Sequence, residues 1–241
     1  SSDLCNHMIF TGNPGTAKTS VARSFAQILK DNNVLSKGQL VEVGRADLVG
    51  KYVGWTAPMV EKKFNEALGG ILFIDEAYSL VDDRDGLYGD EAINTIVQEM
   101  ENHRDEMIVI FAGYPDKMES FLNKNPGLRS RITHHIHFED YNVDELCQIA
   151  GHIASKQGII FDEGAMERIK VVMEKACTQS DFGNGRYVRN LIEKARMAQS
   201  SRLVHMDFDS ISQDDVKTIL AEDIEEPVKV KKTVNKIGFV V

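Results

Sequence analysis

Through the first 140 residues, short runs of β-branched and aromatic residues alternate with segments of helical period. The runs are HMIF (7–10), LVEV (40–43), ILFI (71–74), IVIFA (108–112) and HIHF (135–138). Each is apolar enough to read as a strand buried on both faces, as strands of a parallel sheet are. Between them, 18–30, 57–68 and 90–103 repeat apolar residues every three or four positions and read as helices. That alternation predicts a layered α/β domain over about 1–140. Beyond Tyr141 the strand runs stop, and helices are predicted at 143–157, 163–178, 185–203 and 213–221. Asn142 and Glu145 have the spacing of a capping box, and Gly158 and Gly183/Gly185 mark stops and turns. In the third helix Val188, Leu191, Ile192, Ala195 and Ala198 form one stripe, which predicts a small helical bundle over 141–221. Residues 222–241 change from acidic to basic around Pro227 and read as a linker or tail.

Composition narrows the class. The chain has 241 residues, with 28 Lys+Arg against 37 Asp+Glu and a net charge of −9. Such a balance argues against a surface devoted to nucleic acid. No apolar run approaches the roughly 18 residues of a membrane span, and the start lacks the features of a signal peptide. Cys5, Cys147 and Cys177 show no paired spacing, so they read as reduced thiols of a cytoplasmic protein.

The chemistry begins at GNPGTAKT, Gly12, Asn13, Pro14, Gly15, Thr16, Ala17, Lys18 and Thr19, which lies between an apolar run and a helical segment. Glycines there let successive N–H groups curl around phosphate oxygens, and the helix N-terminus adds partial positive charge. Lys18 would bridge the outer phosphates and the Thr19 hydroxyl would ligate Mg²⁺. The usual pattern has glycine before the lysine; here that residue is Ala17. Its place at the start of the helix predicts helical φ, where a methyl is harmless. In ILFIDEAYSL four apolar residues lead into Asp75-Glu76 at the C-terminal lip of a buried strand, where open parallel sheets bind ligands. Asp75 would hold the hydrated Mg²⁺, and Glu76 would polarise water for attack on the γ-phosphate of ATP.

Together with DLVGKYVGWTAP, IFAGY, NPGLRSRI and GNGRYVRN, these motifs resemble the AAA+ ATPases. Within that class they resemble the group of red-type Rubisco activases and stage V sporulation protein K (CbbX/CfxQ-like). The resemblance covers roughly residues 7–204. It implies a P-loop NTPase fold, a three-layer parallel sheet with a C-terminal all-α lid, and a ring, expected to be a hexamer of this chain or an assembly with neighbouring AAA+ modules. On that pattern the strand end at Gly113 and Tyr114 would carry a γ-phosphate sensor. Tyr114 could hold a water or pack under the sheet. Arg129 and Arg131 are candidates for an arginine that reaches a neighbouring subunit's γ-phosphate, with one of the two expected in an ordinary ion pair. Arg186 resembles the sensor arginine of the lid, whereas Arg189 suits packing or an ion pair. Lys51, Tyr52 and Val53 resemble the pore loop that grips a polypeptide, with Trp55 packing as a turn aromatic.

Two clusters carry less. His134, His135 and His137 suggest a half-exposed strand, not a metal site, and DDRDGLYGDE (82–91) suggests a solvated loop without calcium-loop spacing. The chain enters its first strand within six residues, which predicts a partly open adenine pocket and weak nucleotide binding. The resulting expectation is an Mg²⁺-dependent ATPase ring that remodels a protein substrate through a central pore. A nucleotide-gated scaffold with little turnover and a DNA-acting motor are the rivals.

Overall fold

The computed structural model describes residues 7–52, 54–81, 87–179 and 182–225. The chain divides after Tyr141 into two compact units.

In chain order the first unit comprises β1 (His7–Gly12), α1 (Lys18–Asp31), β2 (Leu40–Val43), α2 (Arg45–Leu48), α3 (Thr56–Ala67) and β3 (Ile71–Ile74). There follow α4 (Leu87–Asn102), β4 (Ile108–Gly113), α5 (Pro115–Lys124), α6 (Pro126–Arg129) and β5 (Ile132–Phe138). The five strands form one parallel sheet in the order β2-β3-β4-β1-β5. Alternate residues of the same run serve opposite faces. Ile9, Leu72, Ile74, Val109 and Phe111 pack with Val60 and Phe64 of α3 and Ile96 of α4. Met8, Phe10, Ile71, Phe73, Ile108 and Ile110 pack with Ala22 and Ala26 of α1. Small residues on α1 let it approach the sheet closely. Each large side chain fully buried this way is worth about 1.5–3 kcal/mol, so continuous apolar runs are what the three layers demand.

Burial on both faces holds for β1, β3 and β4 but fails at the sheet edges. In β5, residues 133–137 are exposed, and β2 has one fully buried residue. Pairing with β1 runs from His7↔Ile132 to Gly12↔Phe138, with a shift of register after His7 that passes over Thr133 and then pairs His134 with Met8, so β5 starts earlier than its apolar run. The acidic stretch is likewise corrected in part. Residues 87–91 open α4 instead of forming a loop, and 82–86 lie outside the described residues.

The second unit comprises α7 (Val143–Gln157), β6 (Ile160–Phe161), α8 (Glu163–Ala176), α9 (Asn184–Val204), α10 (Gln213–Lys217) and β7 (Thr218–Ile219). Asn142 and Glu145 form the reciprocal capping box at 2.9 and 3.0 Å, and Gly158 ends α7 at φ 67°. Strands do not stop at Tyr141, because β6 and β7 pair in parallel. The segment 213–221 accordingly leaves the helix at Lys217. Buried Gln199 of α9 takes the carbonyls of Asp215, Val216 and Thr218 that this turn leaves over, at 3.1, 3.1 and 2.8 Å. Ala198, assigned to the stripe, is only half-buried. The chain after 221 is not simply a linker. Asp223 is 2% exposed and accepts from Arg202 at 3.0 and 2.9 Å, and Ile224 is buried. Residues 226–241 lie outside the described residues, as do 1–6.

Candidate active site

All five strands run the same way, so the loops after β1, β3 and β4 open along one edge of the sheet. The order places the turn after β4 between the loop after β1 and the acidic turn after β3.

The first of these loops is held by its own side chains. Lys18 Nζ donates to the carbonyls of Gly12 and Asn13, both at 2.8 Å, and lies 3.4 Å from Thr16 Oγ1. The Thr16 hydroxyl, 2% exposed, donates to the Asn13 carbonyl at 2.8 Å. With those carbonyls turned onto the lysine, the loop is organised around one cation. Gly12 must be glycine, since its φ is 153° and a Cβ would overlap the Phe138 carbonyl oxygen. Gly15 is left-handed at φ 77°. Ala17 is left-handed as well, at φ 64° and ψ 19°, which overturns the expected helical φ. The helix begins one residue later, at Lys18, so Ala17 is the last residue of the turn and carries the strain of a Cβ there. Thr19 is the second residue of α1 and is half-buried.

At the end of β3, the Asp75 N–H donates to the Val43 carbonyl at 2.9 Å, which fixes the start of the acidic turn. Asp75 is half-buried, and its Oδ1 accepts from the Glu76 N–H at 3.0 Å. Glu76 is exposed and left-handed, at φ 49°. Strain of this kind persists where the surroundings enforce it, as they do at functional turns. Arg45 contributes to that enforcement by donating to the Ser79 and Leu80 carbonyls of the 3₁₀ turn Ala77–Val81. Burial, and next the negative charge of Glu76, push the Tyr78 hydroxyl well above its ordinary pKa.

At the end of β4 the Tyr114 ring packs 6.2 Å from that of Tyr78, and Lys117 Nζ lies 4.5 Å from the Tyr78 ring centre and 5.6 Å from that of Tyr114. A Cβ at Gly113 would come within 2.7 Å of Met118 Sδ and 2.9 Å of the Tyr78 ring, so that position is held to glycine by its neighbours. Tyr78, Lys117 and Arg45 escaped the sequence reading, because their roles depend on contacts that no local spacing encodes.

The remaining candidates are dispersed. Arg131 is held by Glu101 at 3.2 Å and by the Gly127 carbonyl at 3.1 Å, whereas exposed Arg129 donates to Asn123 at 2.8 Å. Tyr52 and Trp55 are 62% and 57% exposed, with ring centres 4.9 Å apart, so Trp55 is not a packed turn aromatic. Lys51 is exposed, and Val53 lies outside the described residues. Arg186 is exposed on the first turn of α9 in the second unit. His137 Nδ1 lies 3.1 Å from Thr11 Oγ1. Among the described residues no cluster of three or more His, Cys, Asp or Glu could hold a metal, and no helix is long and apolar enough to cross a membrane.

Comparison with known proteins places this geometry. Residues 8–140 match the profile of the ATPase family associated with various cellular activities (AAA), and residues 142–234 match that of the AAA lid domain. Over 219 residues the chain is 46% identical to the CfxQ homolog of Pyropia yezoensis, covering 90% of this chain and 73% of that protein. It is 43% identical over 219 residues to the chloroplastic ribulose bisphosphate carboxylase/oxygenase activase of Cyanidioschyzon merolae, covering 90% and 75%. The crystal structure of the FIGL-1 AAA domain in complex with ADP shares the fold, with a TM-score of 0.62 at 21% identity over 90% of this chain and 68% of that one.

Proposed function

Because the chain belongs to the AAA ATPase family and carries that family's lid domain, we propose that it hydrolyses ATP with Mg²⁺ as part of a ring, to remodel a protein substrate. The chain is an ATPase, and the proposal concerns how the hydrolysis proceeds and what it drives. The observation that carries it is the loop at 12–18, curled so that Gly12 and Asn13 turn their carbonyls onto Lys18. That arrangement fits a triphosphate, because a fixed ammonium and a helix N-terminus offer concentrated positive charge beside flexible-backbone glycines.

Lys18 and the loop amides would bind the phosphates, and Thr19 and Asp75 would hold Mg²⁺, whose charge offsets that on the phosphate oxygens. Glu76, exposed at the lip, would take the proton of the attacking water. Of the two candidate arginines, Arg129 suits the trans role, since Arg131 is engaged by Glu101. Arg186 would read the nucleotide from the lid. Lys51, Tyr52 and Val53 would contact the substrate, the exposed Tyr52 ring offering apolar area without sequence demands. The relative named as a Rubisco activase supports a protein substrate of that kind.

Glu76→Gln should retain nucleotide binding and lose turnover by about 10²–10⁴-fold, the usual worth of a general base. The close packing at the end of β4, where a side chain in place of Gly113 would meet Met118 and Tyr78, favours a second reading, a nucleotide-gated scaffold with little turnover. In that case Glu76→Gln would change nothing measurable, and assembly mass with and without ATP would carry the signal.

A further inference from the structure

The end of β5 is joined to the phosphate loop at successive residues. Thr11 Oγ1 meets His137 Nδ1 at 3.1 Å, and Gly12 pairs in register with Phe138. Beyond the last paired residue, Asn13 Nδ2 donates to both carboxylate oxygens of Asp140, at 3.0 and 2.9 Å. The main chain of Asn13 faces the other way. Its carbonyl accepts from Lys18 Nζ and from Thr16 Oγ1, at 2.8 Å each. One residue therefore holds Asp140 with its side chain and the phosphate-binding lysine with its backbone.

Resting on the nucleotide-site reading of this loop, we propose that Asp140 is a positioning residue for nucleotide binding. Its carboxylate fixes the orientation of Asn13, and Asn13 in turn fixes the carbonyl that steadies Lys18. A hydrogen bond to a charged acceptor is shorter and stronger than one between neutral groups. The bonded geometry matters as much as the energy, because a second-residue peptide free to rotate would point its carbonyl away from the ammonium. Asp140 itself stands at the far side of Asn13 and makes no step in the reaction. No local spacing marks it, since the two partners are 127 positions apart.

The test compares Asp140→Ala and Asp140→Asn in the full chain. Asparagine keeps a carbonyl oxygen that can accept from Asn13, and alanine does not. Binding of a fluorescently labelled ADP should weaken about three- to tenfold in Asp140→Ala, the worth of one such bond, and by less than about twofold in Asp140→Asn. The urea midpoint of the nucleotide-free protein should move by less than the affinity does in either variant, since an exposed hydrogen bond adds little to global stability. In the nucleotide-free protein, hydrogen exchange at the amides of 15–19 should speed up in Asp140→Ala alone. Unchanged affinity or unchanged exchange in Asp140→Ala would overturn the proposal. So would failure of asparagine to restore either one, or a loss of affinity matched by a loss of stability. Lys18→Ala is the separate control. If it binds the labelled ADP as the parent does, the nucleotide-site reading fails, while the exchange result still judges Asp140 as the loop's tether.

Discussion

Replacing Ala17 with glycine tests the loop at 12–18, the proposed phosphate site, at a strained point. Ala17 stands at φ 64° and ψ 19°, immediately before the first residue of α1. An L-residue in that well costs roughly 1–2 kcal/mol, because its Cβ crowds the following carbonyl. Glycine escapes that cost but loses about 0.5–1 kcal/mol more backbone entropy on folding. The balance favours the variant, so Ala17→Gly should stabilise the nucleotide-free protein by roughly 0.5–1 kcal/mol. The same methyl deletion at Ala22 must have the opposite sign. Ala22 is fully buried inside α1, where glycine costs about 1 kcal/mol in helix propensity and the lost methyl about 0.8 kcal/mol in burial. Urea unfolding of the parent and both variants reads the contrast as midpoints moving in opposite directions. If Ala17→Gly lowers the midpoint as Ala22→Gly does, Ala17 has helical φ, and the loop geometry argued above is wrong.

Three further outcomes follow from single residues. Buried His7 accepts from the Val109 N–H through Nδ1 at 3.0 Å, and burial holds its pKa below the ordinary 6.5. Below that value the unfolded chain binds the extra proton and the folded chain resists it, so stability falls with pH until the lowered folded pKa is passed. Urea midpoints from about pH 7 to about pH 5 should therefore decline more steeply for the parent than for His7→Gln, and parallel declines would refute the assignment. Arg202→Ala removes the charge that offsets the Asp223 carboxylate, 2% exposed, leaving it the Leu220 N–H at 2.9 Å, and should destabilise the protein by about 3 kcal/mol; a loss under about 1 kcal/mol would show that water reaches Asp223. Trp55 is the only tryptophan and is 57% exposed, so its emission should be red-shifted and readily quenched by acrylamide, and Tyr52→Ala should alter it.

Runs buried on both faces could be read directly, because β1, β3 and β4 need apolar residues at every position and no other element has that demand in so few residues. The edges were harder. The apolar run marked β5 only from His135, and its earlier start and its exposure follow from pairing with β1 at the sheet edge, which no local pattern encodes. In the second unit, β6 and β7 are two residues each, too short for a period to register, and their pairing depends on a glutamine distant in sequence. Within the candidate site, Gly12, Lys18, Asp75 and Glu76 were marked by type and spacing. The supports from Arg45, Tyr78, Lys117 and Asp140 were not, since each acts through a contact made only when the sheet edge is assembled.

The two failures of local rule at this edge have a common cause. Ala17 and Glu76 are both non-glycine residues with positive φ, and each ends a turn that leads from a buried strand to chemistry. Local propensity would put Ala17 in the helix it precedes and Glu76 in an ordinary turn conformation. Neither residue is free to comply. Ala17 is fixed by a loop wound around Lys18, and Glu76 by a turn whose ends are set by the Asp75–Val43 hydrogen bond and by Arg45. Strain in both loops is held by parts of the fold that are themselves at ease, the fully buried strands behind them. Real proteins break local rules where a site requires it and compensate elsewhere. Asn33 and Asn184 also have positive φ, but asparagine enters that region more readily, so it is the strain at Ala17 and Glu76 that supports the proposal of a site along this edge.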